Sequence, residues 1–182
     1  MNSLDCGKIA EFSVYIQKLK KTRRSGWLRY DIRDPESIAS HAYGVALLAW
    51  ILSYGESVSM EKVLKMCLVH DLPEALCGDM TPYDKEYKRK RQIEEDKLRE
   101  IVSGLPADMQ KEMTSLHAEL CAQKTREARI VETADRLDMV LTAAGYEKSG
   151  KDLREFFEIN TKNFTENGMK LLKYLKNLRD SE

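Results

Sequence analysis

The sequence predicts an all-α fold, on three observations. Apolar residues recur at intervals of three and four along nearly the whole chain, and no stretch alternates with the period of two that a half-buried strand needs. Only four prolines and nine glycines punctuate its 182 residues, so few positions break a helix. Helix start signals stand ahead of several of the periodic stretches.

The elements follow in order. A first helix sets Ile9, Phe12, Ile16 and Leu19 on one face. A loop over residues 22–34 carries Arg24-Ser25-Gly26-Trp27. Asp34-Pro35-Glu36 then signals a second helix, because proline fits the first helical position and an acid suits the first turn. That helix runs to about Ser53 and is almost wholly apolar beyond His41, which marks it as central. A third helix from Ser59 places Val63, Met66, Cys67 and His70 together, and Pro73 interrupts it. Gly78 and Pro82 bound a loop around Asp79. Residues 85–102 read as a solvated, charged helix with Ile93, Leu98 and Ile101 inward, stopped by Gly104. Pro106 opens another helix, on which His117 reads as a surface residue beside Glu119. Residues 125–146 form a long helix containing Asp135, and residues 151–160 and 165–179 two shorter ones. No linker, repeat or low-complexity tract appears, so residues 1–182 are expected to fold as one domain.

Composition narrows the function classes. Apolar residues make up 42% and charged residues 33%, a globular balance. Lys plus Arg and Asp plus Glu are both 30, and this neutrality argues against extended nucleic acid as a partner while permitting a small anionic ligand. The longest apolar run, residues 45–52, is too short to span a bilayer, so no membrane partner is expected. Cys6, Cys67, Cys77 and Cys121 have no CxxC or disulfide-framework spacing. With no targeting signal recognised, they read as reduced thiols of a cytoplasmic protein.

The residues that carry chemistry are few. His70-Asp71 is an adjacent imidazole–carboxylate pair on an apolar helix, and neighbouring side chains on a helix diverge by about 100°. They converge on one ion only at a kink or helix junction. His41 lies on the same stripe as Val45, Leu48 and Leu52, so its ring points inward, and Asp135 sits in an apolar run where a buried carboxylate needs a partner. Two imidazoles and two carboxylates suit a borderline divalent ion such as Mn, Co, Fe or Zn, and leave room for water and a substrate oxygen. A single buried His or Asp is more often hydrogen-bonded in a core, and spacing alone leaves both readings open. Glu74, four residues beyond His70, is a candidate general base, and Asp79 either caps a helix start or reaches into the site.

The order His41, His70-Asp71, Asp135 resembles the H…HD…D pattern of the HD-domain superfamily. Arg24-Ser25-Gly26-Trp27, residues 35–41, His70-Asp71-Leu72-Pro73-Glu74-Ala75 and Gly78-Asp79-Met80-Thr81-Pro82 are similar to its 5′-deoxynucleotidase branch, over roughly residues 10–165. The resemblance implies an all-α HD-domain bundle in which His41, His70, Asp71 and Asp135 bind one divalent cation. It implies that Glu74 and Asp79 serve hydrolysis and that Arg24 and Trp27 hold a nucleoside 5′-monophosphate, a deoxyribonucleotide. It also implies a homodimer. Two departures stand out: Ser25 and Gly26 separate Arg24 from Trp27, which leaves Arg23 and Arg29 as competitors, and position 40 is Ser where relatives often carry an acid.

Overall fold

A computed structural model describes residues 5–181. Among them the architecture is all-α, with one isolated antiparallel bridge between Arg23 and Ser37.

Helix α1 (Cys6–Lys21) starts where the Asp5 side chain accepts the Gly7 backbone N–H. Its predicted inner face is only half covered: Phe12 and Leu19 pack against a small cluster of Leu72, Leu98, Ile101 and Val102, while Ile9 and Ile16 stay largely exposed. The expected loop after it contains a short helix, α2 (Ser25–Leu28). Helix α3 (Ile38–Leu52) begins three residues later than the Asp34-Pro35-Glu36 signal suggests. The Ser37 hydroxyl caps it by accepting the Ser40 N–H, and residue 36 is held extended because Arg24 N–H donates to the Glu36 carbonyl and Ile38 N–H to Thr22. Pairing across the two segments outcompetes the local helix start.

Helix α4 (Met60–Val69) is capped by Ser59 and buries Val63, Met66, Cys67 and Val69. It ends before Pro73, and a one-turn helix α5 (Glu74–Cys77) follows. Gly78 closes α5 with φ of 75°, a left-handed backbone that favours glycine. Helix α6 (Lys90–Val102) starts five residues later than predicted, after a 3₁₀ turn at Tyr87–Arg89. Upstream, Asp84 accepts both the backbone N–H and the hydroxyl of Thr81, a local turn that competes with helix.

Helix α7 (Ala107–Ala122) packs on α4, α6 and α8. His117 is 2% exposed there, which corrects the surface expectation. It continues the inner stripe of Met113, Leu116 and Leu120, a periodicity that the polar residues around it disguise. Helix α8 (Arg126–Glu147), capped by Thr125, makes the largest helix–helix contact, with α3. The predicted helix over residues 151–160 shrinks to a 3₁₀ turn, Arg154–Phe157. Asp152 and Glu147 carboxylates accept the Arg154 and Leu153 N–H groups and draw the backbone away from a helical ladder. Helix α9 (Glu166–Asp180), capped by Thr165, completes the chain. The main core lies between α3, α4 and α8, and the site lies at its edge.

Candidate active site

Two helices and one helix junction bring four side chains together. His41 projects from the buried face of α3, beside Val45 and Ala49. Asp135 projects from the middle of α8. His70 and Asp71 sit just past the end of α4, at its junction with α5, and their side chains converge to 3.2 Å between Nε2 and Oδ2. The His41, His70 and Asp71 ligand atoms all lie within 4.8 Å of one another. His41 Nε2 is 2.9 Å from Asp135 Oδ1 and 3.7 Å from Asp71 Oδ2.

The hydrogen-bond pattern fits a divalent ion. His70 Nδ1 lies 2.6 Å from the Cys67 carbonyl, which accepts its N–H and leaves the lone pair of a neutral ring on Nε2. That Nε2 is buried with no hydrogen-bond partner; Asp71 Oδ2 is 3.2 Å away but outside hydrogen-bond geometry. His41 Nδ1 lies 2.8 Å from Asp138 Oδ2. A carboxylate on the far nitrogen orients an imidazole and makes it a better metal ligand. Asp138 reaches it because residue 44 is glycine: a Cβ there would lie 2.2 Å from Asp138 Oδ1. Ser40 takes no part in this contact and bonds Ser37 instead.

Burial lowers the His41 pKa and Arg24 opposes a second charge, yet hydrogen bonds to Asp135 and Asp138 push it up to about 10. For His70, burial works the same way, and Asp71 reverses it. The Asp135 carboxyl, despite burial, is drawn down to about 2 by His41 and His70. The carboxylates around both rings thus favour positive charge at the centre of the cluster.

Beside this cluster lies a cavity of about 330 Å³, to which Asp71 and Asp135 contribute together with Arg24 and Asp79, and whose lining also includes Trp27, Tyr30, Met139, Phe156 and Ile159. The volume falls in the ~300–1,000 Å³ range of small-molecule sites. Arg24 Nη1 lies 3.3 Å from Asp71 and 3.8 Å from Asp79. Of its competitors, Arg23 pairs with exposed Asp34, whereas Arg29 lies over the Tyr83 ring and also lines the cavity. Asp79 accepts the Ser25 backbone N–H and so ties α2 to the site. Glu74 is 2% exposed, and its Oε2 has no hydrogen-bond partner. Burial pushes its carboxyl well above the usual range, with Asp71 and Asp79 adding to the effect. Trp27 is also 2% exposed: its Nε1–H donates to Glu36, and its ring packs on Phe156 and Tyr146. It forms a wall of the cavity from within the core.

The HD-domain family model matches residues 16–178. The chain belongs to the HD-domain family. It is 35% identical over 159 residues to the 5′-deoxynucleotidase HDDC2 of Dictyostelium discoideum, covering 83% of this chain and 84% of that protein. The human 5′-deoxynucleotidase HDDC2 is 32% identical over 157 residues, covering 82% of this chain and 75% of its own length. Among solved structures, the PH0347 protein of Pyrococcus horikoshii superposes with a TM-score of 0.79 at 31% identity, over 93% of this chain and 99% of that one.

Several residues of the site escape sequence reasoning. Asp138 carries a signal, three residues beyond Asp135 and so on a neighbouring stripe of α8. Tyr30, Phe156 and Ile159 carry none, because only tertiary packing brings residues 153–160 over the cavity. Lys90 also lines it, and Glu94 beside it is mostly buried, so the expectation that the charged residues of 85–102 are solvated fails at these two positions.

Proposed function

We propose that this chain is a 5′-deoxynucleotidase, a metal-dependent phosphohydrolase that releases phosphate from deoxynucleoside 5′-monophosphates. The observation that carries the reading is the orphaned His70 Nε2, buried with His41 and Asp71 beside a cavity of small-molecule size that Arg24, Asp71 and Asp135 line. The names of the relatives that cover most of the chain support the substrate class.

His41, His70, Asp71 and Asp135 would hold one divalent cation; their nitrogen and oxygen donors suit Mn, Co, Fe or Zn. Such an ion supplies a Lewis acid for a phosphate oxygen and a more acidic water. Arg24 supplies a fixed positive charge for the phosphoryl group, and burial between Asp71 and Asp79 keeps the guanidinium in place. Once ionised, a state that Lys90 and Arg24 favour against burial and that a bound cation would favour further, Glu74 offers its unpartnered Oε2 as acceptor for the proton of the attacking water, with Asp79 as the alternative acceptor. The water oxygen bonds to phosphorus as the bond to the 5′-oxygen breaks. Trp27 with Phe156 makes an apolar wall for the nucleoside.

Residues 1–182 work as a single HD domain in this reading, in the cytoplasm, where the free thiols of Cys6, Cys67, Cys77 and Cys121 stay reduced. Among the described residues no helix is long and apolar enough to cross a membrane. The chain pairs with a second copy. Tyr43, Leu47, Trp50 and Ile51, with Tyr54 just beyond the helix end, form an exposed apolar strip on α3 opposite its buried face, and a helix apolar on both sides needs a second burial partner. Trp50→Glu should therefore shift the sedimentation of the protein toward that of a monomer.

The deciding experiment is phosphate release by the metal-reconstituted protein over a panel of deoxynucleotides, ribonucleotides and other phosphate esters. Turnover confined to nucleoside 5′-monophosphates, with deoxyribonucleotides preferred, is expected. Absence of turnover on all of them would overturn the reading.

A further inference from the structure

Lys90 is a charged side chain at the active site that the mechanism above leaves without a task. It stands at the start of α6, lines the cavity, and is mostly buried. Its Nζ lies 3.4 Å from Glu74 Oε1, 3.3 Å from Glu94 Oε1 and 3.2 Å from the Met80 carbonyl. An ammonium has three N–H donors, and here three acceptors from three segments surround it. Glu74 belongs to α5, Glu94 to α6, and Met80 is the residue after Asp79.

We propose that Lys90 is a positioning residue for hydrolysis: it grips one oxygen of Glu74, leaving the other as the only free acceptor, and anchors the loop that carries Asp79. The inference rests on the reading of Glu74 as the proton acceptor. Two observations favour it over a second phosphate-binding cation. Lys90 donates to Glu74 and to the Met80 carbonyl and ion-pairs with Glu94, so protein carboxylates already neutralise its charge. Glu74 Oε2, by contrast, has no partner although its carboxylate is buried, so the carboxylate is held from one side only. A carboxylate held through Oε1 alone cannot turn without breaking that contact. Freed from Lys90, Glu74 could rotate its empty oxygen out of line with the attacking water, and Asp79 would lose its neighbour's tether.

The test is a double-mutant cycle of Lys90→Met and Glu74→Gln, assayed on a deoxynucleotide and on a small artificial phosphate ester. Lys90→Met should lower kcat by about 10–100-fold, part of the ~10²–10⁴-fold that a general base contributes. KM on both substrates and bound metal by elemental analysis should stay near the wild-type values. In the Glu74→Gln background the same substitution should cost no more than about twofold, because two residues acting through one contact are not additive. Lys90→Arg, which keeps the charge, should recover part of the lost rate. If Lys90→Met melts below the assay temperature, Lys90→Gln, still able to donate to the Met80 carbonyl, takes its place in the cycle. Raised KM with unchanged kcat would make Lys90 a phosphate ligand, and equal losses in both backgrounds would make it merely structural; either overturns the proposal. An inactive wild type would instead bring down the function itself, which the first assay of the series reveals.

Discussion

His41 and His117 are buried to nearly the same degree, 0% and 2% exposed, yet their surroundings drive them in opposite directions. Around His117 burial prevails: its Nδ1 meets only the Cys121 sulfur, at 3.8 Å, among the hydrogen-bond contacts of the described residues, and its pKa falls below the ordinary 6.5 although Glu95 pulls the other way. Around His41 the same burial is overturned by Asp135 and Asp138, which bond both ring nitrogens and raise the pKa to about 10. Burial alone makes a neutral core histidine. A ring held between carboxylates marks a place built for a cation, and the difference separates a site residue from a packing residue when sequence offers the same letter for both.

The largest test of that contrast removes the cation site. Asp71→Ala and His70→Ala should each lose bound metal and turnover together, by more than the ~10–100-fold in affinity typical of groups one contact further out. Elemental analysis beside kinetics checks both, and full metal occupancy with normal turnover would dismantle the assignment. Glu74→Gln should keep the metal and lower kcat by about 10²–10⁴-fold. If it turns over normally while Asp79→Ala is dead, the proton acceptor is Asp79.

A subtler change leaves every ligand in place. Gly44→Ala puts a methyl where Asp138 lies, so Asp138 should swing off His41 Nδ1 and metal affinity should fall by about 10–100-fold. Metal titration followed by calorimetry reads this, and unchanged affinity would show that His41 needs no carboxylate behind it.

The two histidines also differ in their response to pH. In the metal-free protein, a His41 pKa raised to about 10 means that its charged form contributes stability that is full below 6.5 and lost as pH rises through about 10. Metal binding at neutral pH must then expel a proton from it, so loading in buffers of different ionisation enthalpy should reveal at least one proton released per ion. His117 has the opposite sign. Its depressed pKa gives stability that is present above 6.5 and falls away as pH drops below it, until the folded ring is protonated as well. His117→Gln should leave turnover unchanged and flatten the dependence of Tm on pH below 6.5, the smallest of these effects. An unchanged slope would show that some other group governs acid sensitivity.

The legibility of the site follows the range of the forces involved. His41, His70, Asp71 and Asp135 stand out in the sequence because a polar residue in an apolar helix stripe is costly and needs a reason. Trp27 shows the limit: its place in an Arg–Trp loop points to substrate, but its contacts with Glu36, Tyr146 and Phe156 make it core as much as wall. Lys90 is invisible in a run of mixed charge, because which lysine turns inward depends on Glu74 and the Met80 carbonyl, residues of other segments.

By itself the sequence determined the helical class, most helix ends from Ser59 onward, and the order of the ion-binding candidates. Those features are local: periodicity, caps and proline act within a few residues. Tertiary structure alone decided the start of α3, the collapse of residues 151–160 into one turn, the burial of His117, and the partners Asp138 and Lys90. Except for residues 151–160, where the nearby Glu147 and Asp152 carboxylates also compete for the backbone, each depends on a hydrogen bond or an apolar surface supplied from another segment of the chain, and such contacts form only when the whole fold closes around them.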